Sequence, residues 1–307
     1  MPEFDWLDGH ILVTGARGFI GSHLIARLVS SGASVYGITS RHGFDDQSGA
    51  SWVYGDVADA KAVSEIMARV KPNLVFHLAG HVTGSQQLAA VAPTFLTNLA
   101  GTVHLMTAAA ELGGCRVVLA GSMREPETDT DVPCSPYAAS KWACSGYARM
   151  FHALYNLEVV IARLFMVYGP GQWDLTKVLP YVTVSLLRHE SPRVGSGAYS
   201  FDWVYIDDVI DALVCCARRG AANGRSIDIG TGRLTSVREL IERVVGITRP
   251  DVPVQFGALA DRVLEPSRVA CVEETKGLIS WSADTLLDDG LAKTVSWYRS
   301  HLDQLQA

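Results

Sequence analysis

Residues 11–21 read ILVTGARGFIG, and a helical pattern of apolar residues follows them through Leu28. The order is a strand, a tight turn with Gly15, Gly18 and Gly21, and a helix. Such a turn aims backbone N–H groups and the positive end of the helix dipole at a phosphate, and its glycines allow close approach to the backbone. The stretch therefore predicts the dinucleotide-binding turn of a doubly wound α/β fold.

Short β-branched runs alternate with longer helical stretches along the chain. The clearest runs are Ser34–Ile38, Leu74–His77, Arg116–Ala120 and Val159–Leu164. This alternation is typical of a parallel sheet covered by helices on both faces. The sequence therefore predicts an α/β fold with a Rossmann-type doubly wound parallel sheet.

Bulk composition narrows the class of protein. The 307 residues are 48% apolar, enough for a large core, and the formal net charge of -6 argues against a nucleic-acid partner. The acidic N-terminus does not resemble a signal peptide, and no run approaches the length of a membrane span, so we expect a cytoplasmic enzyme with no membrane partner.

The cysteines show no ligand spacing, which predicts reduced thiols and no structural metal. They are Cys115, Cys134, Cys144, Cys215, Cys216 and Cys271.

A phenol and an ammonium are placed one helical turn apart in residues 136–141, PYAASK. Tyr137 and Lys141 face the same side of the predicted helix, where the cation stabilises the phenolate and makes tyrosine a usable proton donor and acceptor. Ser122 follows an apolar strand, so it should lie at the carboxyl end of the sheet, where open α/β folds bind ligands. We predict that Ser122, Tyr137 and Lys141 form the catalytic group.

Together these motifs resemble those of the extended short-chain dehydrogenase/reductase family, which contains NAD(P)-dependent sugar-nucleotide epimerases, dehydratases and ketoreductases. The resemblance covers nearly the whole chain. Further matches are Gly55-Asp56-Val57, Phe76-His77-Leu78-Ala79-Gly80, Asn98-Leu99-Ala100-Gly101-Thr102 opening a helix, Val167–Gln172 and Asp202–Val209.

The resemblance implies two interleaved lobes. Residues 1–172 plus about 205–230 would form the dinucleotide-binding Rossmann domain, with a strand near Ser226–Ile229 returning to the sheet. Residues of about 173–204 plus 231–307 would form a smaller C-terminal substrate lobe, with the substrate held in the cleft between the lobes. In the implied mechanism Ser122 polarises the substrate oxygen, Tyr137 moves the proton, the nicotinamide moves the hydride and Lys141 binds the nicotinamide ribose.

The end of the second predicted strand bears on the choice of cofactor. An NAD-selective site places Asp or Glu there to hold the ribose 2′-hydroxyl, and here that carboxylate is missing. The hydroxyls of Thr39 and Ser40 and the guanidinium groups of Arg41 and Arg17 suit the 2′-phosphate of NADP, so we predict NADP(H), with NAD as the alternative. The other predicted cofactor contacts are Gly15, Gly18, Phe19, Ile20, Gly21, Asp56, Val57, Leu78, Ala79, Gly80, Asn98 and Lys141.

The residues after Ser122 bear on the reaction. Family dehydratases place an Asp-Glu pair there, because elimination of water needs an additional acid and base, whereas this chain has Met123 and Arg124, and Glu125 comes one residue too late. The missing ribose carboxylate favours a reductase that consumes NADPH. We therefore predict 4-ketoreduction of a nucleotide-diphosphate keto-(deoxy)sugar. The alternative is a sugar-nucleotide 4-epimerase, which retains its dinucleotide through both half-reactions.

The family's substrate contacts are only partly present. Met166 and Phe201 stand where many relatives have an Asn and an Arg that contact the diphosphate, and Arg262 aligns with a late arginine that often grips it. The predicted substrate contacts are His81, Thr83, Ser122, Met123, Met166, Gln172, Arg193 and Arg262, with Arg268 as a nearby candidate.

Two further hypotheses remain open. One is a non-catalytic dinucleotide-sensing binding protein of the same fold, although such proteins usually lose the Tyr or the Lys that this chain keeps. The other is a homodimer, because relatives pair two helices, here Thr102–Leu112 and Lys141–Leu154, into a four-helix bundle; packing of these helices onto the sheet is the alternative. The small and apolar residues behind this expectation are Ala108, Ala109, Ala143, Met150 and Phe151.

Overall fold

The computed structural model describes residues 9–40, 48–128, 130–218, 220–265 and 267–305. The chain forms two compact units whose segments alternate along the sequence. The first unit holds the chain up to Leu164, Ile210–Asp228 and Glu273–Trp281. The second holds Phe165–Val209, Ile229–Val272 and the chain from Ser282 onward.

A seven-stranded parallel sheet is the frame of the fold. In spatial order its strands are β3 (Ser51–Tyr54), β2 (Ser34–Thr39), β1 (His10–Thr14), β4 (Leu74–His77), β5 (Arg116–Ser122), β6 (Glu158–Leu164) and β9 (Ser226–Ile229). The strand order changes direction between β1 and β4, the place where doubly wound sheets bind ligands at the carboxyl ends of their strands. The predicted Rossmann-type fold class is confirmed, and the strand predicted at residues 226–229 joins the sheet at its edge.

Helices flank the sheet. The α-helices of the described residues are α1 (Phe19–Ser30), α2 (Ala60–Val70), α3 (Val91–Thr94), α4 (Gly101–Leu112), α5 (Pro136–Tyr155), α6 (Val178–Leu187), α7 (Ile206–Arg218), α8 (Val237–Thr248), α9 (Val272–Ile279) and α10 (Leu287–Ser300). A π-helical segment, Phe95–Ala100, lies between α3 and α4 without a break in the helix.

The central strands are apolar on both faces because both faces are buried. Leu12, Val117 and Ile161 join one core cluster with side chains from α2, α4 and α5. The neighbouring positions Val13 and Val118, which point to the other face of the sheet, are fully buried as well. This explains why the runs in the sequence are continuous rather than alternating.

The second unit contains a three-stranded sheet in the order β10 (Leu234–Ser236), β8 (Ser200–Tyr205) and β7 (Met166–Tyr168). Asp202 on β8 is fully buried and accepts four hydrogen bonds, from Thr231 N and Oγ1 at 2.7 Å, Gly232 N at 2.8 Å and Ala270 N at 3.1 Å. One buried carboxylate therefore fixes two separate loops around β8.

The segment Glu273–Trp281 differs from the predicted lobe division, which assigned all of residues 231–307 to the smaller lobe. In the structure this segment belongs to the first unit. Thr275 Oγ1 donates to Asp228 O at 2.8 Å, and Arg225 forms an ion pair with Glu274. These contacts attach α9 to the edge strand β9.

One helical stretch of the described residues, Leu88–Leu112, is long and apolar enough to cross a membrane by length and composition alone. The sequence analysis did not expect such a stretch, because its Thr and Asn residues interrupt the apolar run. Three of these polar side chains, Thr94, Asn98 and Thr102, are buried, whereas Thr107 is exposed. Thr94 Oγ1 donates to Ala90 O, and Thr102 Oγ1 donates to Asn98 O, both at 2.5 Å. Buried core helices pass the same test, so the finding is weak evidence for a membrane span.

Candidate active site

The glycine turn has the geometry of a phosphate site. Gly15 has a φ of 64°, and a Cβ there would lie 2.7 Å from both Leu78 O and Ala79 N. Gly18 N donates to Gly15 O at 2.9 Å, and α1 begins at Phe19 with neither a side-chain cap nor an acidic residue in its first turn. The positive end of α1 is therefore left for an external anion.

Of the four residues predicted to contact the cofactor ribose or its 2′-phosphate, the structure describes Thr39, Ser40 and Arg17. Thr39 is the buried last residue of the strand, Ser40 is exposed and Arg17 lies exposed in the glycine turn. Arg41 lies outside the described residues. No carboxylate stands in β2 or at Ser40.

Asp56 and Val57 follow β3. Asp56 is exposed, and its Oδ1 accepts a hydrogen bond from Ala58 N at 2.9 Å. Val57 is buried against Gly101, where a Cβ would lie 2.9 Å from Val57 Cγ2. The exposed Asp56 carboxylate is compatible with its predicted cofactor contact, whereas the Val57 side chain packs in the core.

The end of β4 approaches the helix that bears the predicted catalytic pair, Tyr137 and Lys141. A Cβ on Gly80 would lie 3.3 Å from Asn98 Oδ1 and 3.8 Å from Lys141 Nζ, so glycine leaves room beside the ammonium. The next residue, His81, has an exposed side chain and donates its N–H to Asn98 Oδ1 at 2.6 Å. Thr83 Oγ1 accepts from Ser85 N at 3.1 Å and shapes the same loop.

Ser122, Tyr137 and Lys141 are all buried in the first unit. Ser122 is the last residue of β5, and its Oγ accepts a hydrogen bond from Arg124 N at 3.2 Å. Helix α5 begins at Pro136 because Ser135 caps it, with Ser135 Oγ accepting from Ala138 N at 3.2 Å. Lys141 Nζ donates to Ala120 O at 2.8 Å, which keeps the ammonium at the end of β5 rather than in solvent.

Asn98 is a buried bridge within the π-helical segment. Its Oδ1 holds the His81 amide, and its Nδ2 donates to Ser140 Oγ at 3.0 Å. Ser140 Oγ in turn donates to Tyr137 O at 2.8 Å. Asn98 thus connects the loop after β4 to α5. It does not open a helix as predicted, because the helical stretch has already begun at Leu88, and its predicted cofactor contact stays a prediction.

Glu125 has a structural role that the sequence analysis missed. Its side chain is buried, and Oε1 accepts a hydrogen bond from Ser122 N at 2.7 Å while Oε2 accepts from Ser145 Oγ at 2.6 Å. The carboxylate therefore joins the end of β5 to α5. The neighbouring Met123 is almost fully buried, and its N–H donates to Leu164 O at 2.9 Å.

His77 is a second buried polar residue that the sequence analysis left without a role. It lies fully buried on β4, with Thr14 Oγ1 2.7 Å from Nδ1 and Thr102 Oγ1 3.0 Å from Nε2. Burial, and next the positive charge of Lys141, lower the pKa of His77 from 6.5 to about 3. The imidazole is therefore neutral in the folded protein at physiological pH.

We expect this buried histidine to make the protein acid-sensitive. Between pH 6.5 and about pH 3 the unfolded chain binds one more proton at His77 than the folded chain, so stability falls as the pH falls through this window. The slope attributable to His77 is about 1.4 kcal/mol per pH unit. Denaturant unfolding of wild type and His77→Gln between pH 7 and pH 4 measures it, and parallel curves for the two proteins would contradict the prediction.

The remaining substrate candidates belong to the second unit. Met166 is half-buried on β7, Gln172 O accepts from Tyr298 Oη at 2.6 Å, and Phe201 is buried. Arg193 is exposed and donates its backbone N–H to Tyr181 Oη at 3.1 Å. Arg262 is exposed and lies 3.6 Å from Glu265. Their predicted contacts with the substrate stay predictions.

Four of the six thiols, those of Cys115, Cys134, Cys144 and Cys216, are buried, whereas Cys271 is exposed. None of the six cysteines, which all lie in the described ranges, forms a disulfide, and burial raises the pKa of Cys115 and of Cys216 to about 12. Among the residues that the structure describes, no cluster of three His, Cys, Asp or Glu side chains is arranged to hold a metal ion.

The fold and these motifs are shared with a known family. A model of the NAD dependent epimerase/dehydratase family matches residues 11–230. The chain belongs to this family. The resemblance drawn from the sequence is thereby confirmed, and with it the class of enzyme.

Individual members of the epimerase/dehydratase family match nearly the whole chain. A UDP-glucose 4-epimerase from Mycolicibacterium smegmatis is 32% identical over 94% of this chain and 98% of the relative. The crystal structure of a UDP-glucose 4-epimerase with UDP-glucose from Thermotoga maritima has a TM-score of 0.87 and 27% identity, covering 95% of this chain and 99% of that one. The structure of MoeE5 in complex with UDP-glucose and NAD has a TM-score of 0.84 and 29% identity, and the match covers 96% of this chain and 100% of the MoeE5 chain.

Proposed function

We propose that this family member is a nucleotide-sugar 4-epimerase that acts on a UDP-hexose and keeps its dinucleotide bound through both half-reactions. The observation that carries the proposal is the make-up of the catalytic group. All three residues are buried: Ser122 ends β5, Lys141 Nζ donates to Ala120 O of the same strand, and Tyr137 lies one helical turn before Lys141. The acid pair of a dehydratase is absent from the two positions after Ser122. The nearest carboxylate in sequence, Glu125, is engaged by Ser122 N and Ser145 Oγ.

The relatives support the same reaction. A UDP-glucose 4-epimerase is 32% identical over almost the full chain, and structural relatives above 25% identity were solved with UDP-glucose, one of them also with NAD. This support favours the epimerase, which the sequence analysis gave as the alternative, over the 4-ketoreductase that it placed first.

The chain's own residues supply the proton chemistry. Tyr137 removes the proton of the sugar 4-hydroxyl as the C4–H bond breaks and the C4 carbonyl forms, and it returns that proton when C4–H re-forms on the opposite face. Ser122 Oγ hydrogen-bonds the same oxygen, and Lys141 stabilises the phenolate between the two steps. The chemistry that a bound dinucleotide supplies is hydride transfer in both directions, so none is consumed. The glycine turn, with its uncapped helix start, would hold the pyrophosphate.

The test is to purify the full chain, denature it and identify the dinucleotide that is released. We expect NAD, together with interconversion of UDP-glucose and UDP-galactose without added cofactor. Tyr137→Phe is the matched control, because it should still release NAD but interconvert the two sugars about 10²- to 10⁴-fold more slowly. An empty protein that consumes NADPH in proportion to a keto-sugar would overturn the epimerase.

The NADPH-dependent 4-ketoreductase remains the second candidate. It is favoured by one observation, the absence of a carboxylate in β2 and at Ser40, with Arg17 exposed in the facing turn. A binding protein without turnover is disfavoured by the intact and buried Tyr137 and Lys141.

The proposed enzyme is a homodimer. Ala108, Ala109 and Phe151, on which the sequence analysis based the bundle, are buried in the core and pack onto the sheet. Other apolar side chains are exposed on the helical stretch that leads into α4 and on α5. They are Leu88, Val91 and Phe95, spaced along one helix face before α4, and Tyr147 and Leu154, seven residues apart on α5.

We expect Phe95→Asp to convert a dimer to a monomer. A charge in the centre of this apolar face removes its burial against a second copy and leaves an unpaired carboxylate there. Light scattering after gel filtration measures the mass. Leu259→Asp is the matched control, since Leu259 is 52% exposed and Phe95 53%, but Leu259 lies in the second unit. Equal masses for wild type and Phe95→Asp would contradict the proposal that this apolar face forms the dimer interface.

A further inference from the structure

Four buried polar residues form a hydrogen-bonded chain across the first unit. Thr14 Oγ1 lies 2.7 Å from His77 Nδ1, and His77 Nε2 lies 3.0 Å from Thr102 Oγ1. Thr102 Oγ1 then donates to Asn98 O at 2.5 Å. None of the four side chains is more than 1% exposed, so no solvent completes these bonds.

The short Thr102–Asn98 contact sets the direction of the hydrogen bonds, and the Cys144 thiol, 3.3 Å from Asn98 O and 3.5 Å from Thr102 Oγ1, is a weaker additional donor. The Thr102 hydroxyl gives its single proton to Asn98 O, so it must accept from His77, and the ring proton is on Nε2. Nδ1 is then bare and accepts the Thr14 hydroxyl proton. The Thr14 oxygen is left to accept the Ala79 N–H at 3.0 Å. Each donor has one acceptor, and the neutral tautomer of His77 is assigned from this network.

The two ends of the chain lie at the two halves of the proposed active site. Thr14 immediately precedes Gly15, where the dinucleotide-binding turn begins. At the other end, Asn98 Nδ2 donates to Ser140 Oγ, which donates to Tyr137 O. The network therefore joins the turn expected to bind the pyrophosphate to the helical turn that bears the proton-transferring phenol.

We propose that His77, as its neutral Nε2–H tautomer, is a positioning residue that fixes Asn98, and through it Tyr137, relative to the dinucleotide-binding turn. The inference rests on the proposed function for its kinetic consequences but not for its geometry. A rigid ring with a donor at one end and an acceptor at the other connects two threonine hydroxyls at a fixed span. Lys141 favours this neutral form, because a second positive charge beside its ammonium is unfavourable.

The first test replaces Thr102 with valine, which keeps the shape but removes the hydroxyl between His77 and Asn98. We expect kcat to fall about 10- to 100-fold, with the KM for the nucleotide sugar and the Kd for NAD within about 3-fold of wild type, because a small misplacement of the acid-base group costs rate more than binding. The pH dependence of kcat should also shift. Thr102→Ser, which restores the hydroxyl, should recover most of the rate.

Thr294→Val is the matched control. Thr294 is also 1% exposed, and its Oγ1 donates to Gly290 O four residues back at 2.7 Å, as Thr102 does to Asn98 O, but it lies on α10 in the second unit. Thr294→Val should leave kcat and its pH dependence unchanged. If Thr102→Val and Thr294→Val behave alike in both measurements, His77 has no positioning role.

A second measurement does not depend on turnover. Nuclear magnetic resonance of the full chain with ¹⁵N-labelled histidine should show one ring held as the Nε2–H tautomer from pH 8 to pH 5, and Thr102→Val should perturb that ring while Thr294→Val does not. A His77 ring that is protonated on Nδ1, or that titrates near pH 6.5, would overturn the inference. If wild type shows this ring but no UDP-hexose turnover, the proposed function fails while the assigned network stands.

Discussion

Tyr137→Phe is expected to lower turnover by about 10²- to 10⁴-fold, the usual contribution of a well-placed general acid-base group. The substitution removes only the phenolic oxygen. Tyr137 is buried, and Ser140 Oγ donates to its backbone carbonyl, so the helical turn should keep its position. Initial rates of UDP-glucose and UDP-galactose interconversion, with the dinucleotide content of each preparation, measure the effect.

The control for this variant is Tyr147→Phe, a loss of the same hydroxyl ten residues further along α5 at an exposed position. It should retain full activity. A Tyr137→Phe protein that keeps more than a tenth of wild-type turnover, with its dinucleotide bound, would show that proton transfer uses another group.

Gly15→Ala is expected to weaken dinucleotide binding by about 100-fold or more, which corresponds to ~2.7 kcal/mol. Two effects add at this position. An L-residue with a φ of 64° costs about 1–2 kcal/mol, and the new Cβ would lie 2.7 Å from Leu78 O and Ala79 N, which are backbone atoms. The turn must move, and it is the element that would surround the pyrophosphate. Titration of the apo protein with NAD, followed by calorimetry, measures the Kd.

Gly113→Ala is the control that separates the cost of backbone strain from an effect on the proposed dinucleotide site. Gly113 has a similar φ of 71°, but nothing lies within 4 Å of the position of its Cβ, and it follows α4 on the surface. We expect it to lower the thermal midpoint without changing the Kd for NAD. If both variants bind NAD as wild type does, the glycine turn is not the dinucleotide site.

The parallel sheet could be predicted from the sequence because strands buried on both faces need continuous apolar runs. Leu74–His77 has the predicted bounds, while β5 extends two residues further because its ladder with β6 continues through Gly121 and Ser122. The helix around Asn98 was harder. A proline at residue 93 indicates a break, but it is the third residue of α3, where a missing N–H costs no hydrogen bond within that α-helix, and the helical stretch that began at Leu88 continues through it.

The positions of the proposed catalytic residues could be predicted, because Ser122 follows a strand and Tyr137 and Lys141 repeat at helical spacing. The buried residues that surround them could not. Thr14 and His77 are 63 residues apart in sequence, and His77 and Thr102 are 25 residues apart, so no local sequence pattern indicates that they are in contact. The sequence analysis considered Glu125 only as a possible catalytic acid. Its hydrogen bond to Ser145 could not be predicted, because it arises from the packing of α5 against β5. The Cβ clearances at Gly15 and Gly80 likewise depend on the tertiary fold.

The π-helical segment Phe95–Ala100 has a consequence for how this chain tolerates loss of a residue. A π turn contains one residue more than an α turn, so deleting a single amino acid between Phe95 and Thr97 would restore regular α-helical geometry to the stretch. The shortened helix would be locally more favourable, yet every side chain before the deletion would rotate relative to Asn98. In a library of single-codon deletions, we therefore expect deletions in this stretch to yield proteins that fold stably but lack catalytic activity. Substitution libraries would not separate stability from activity in this way.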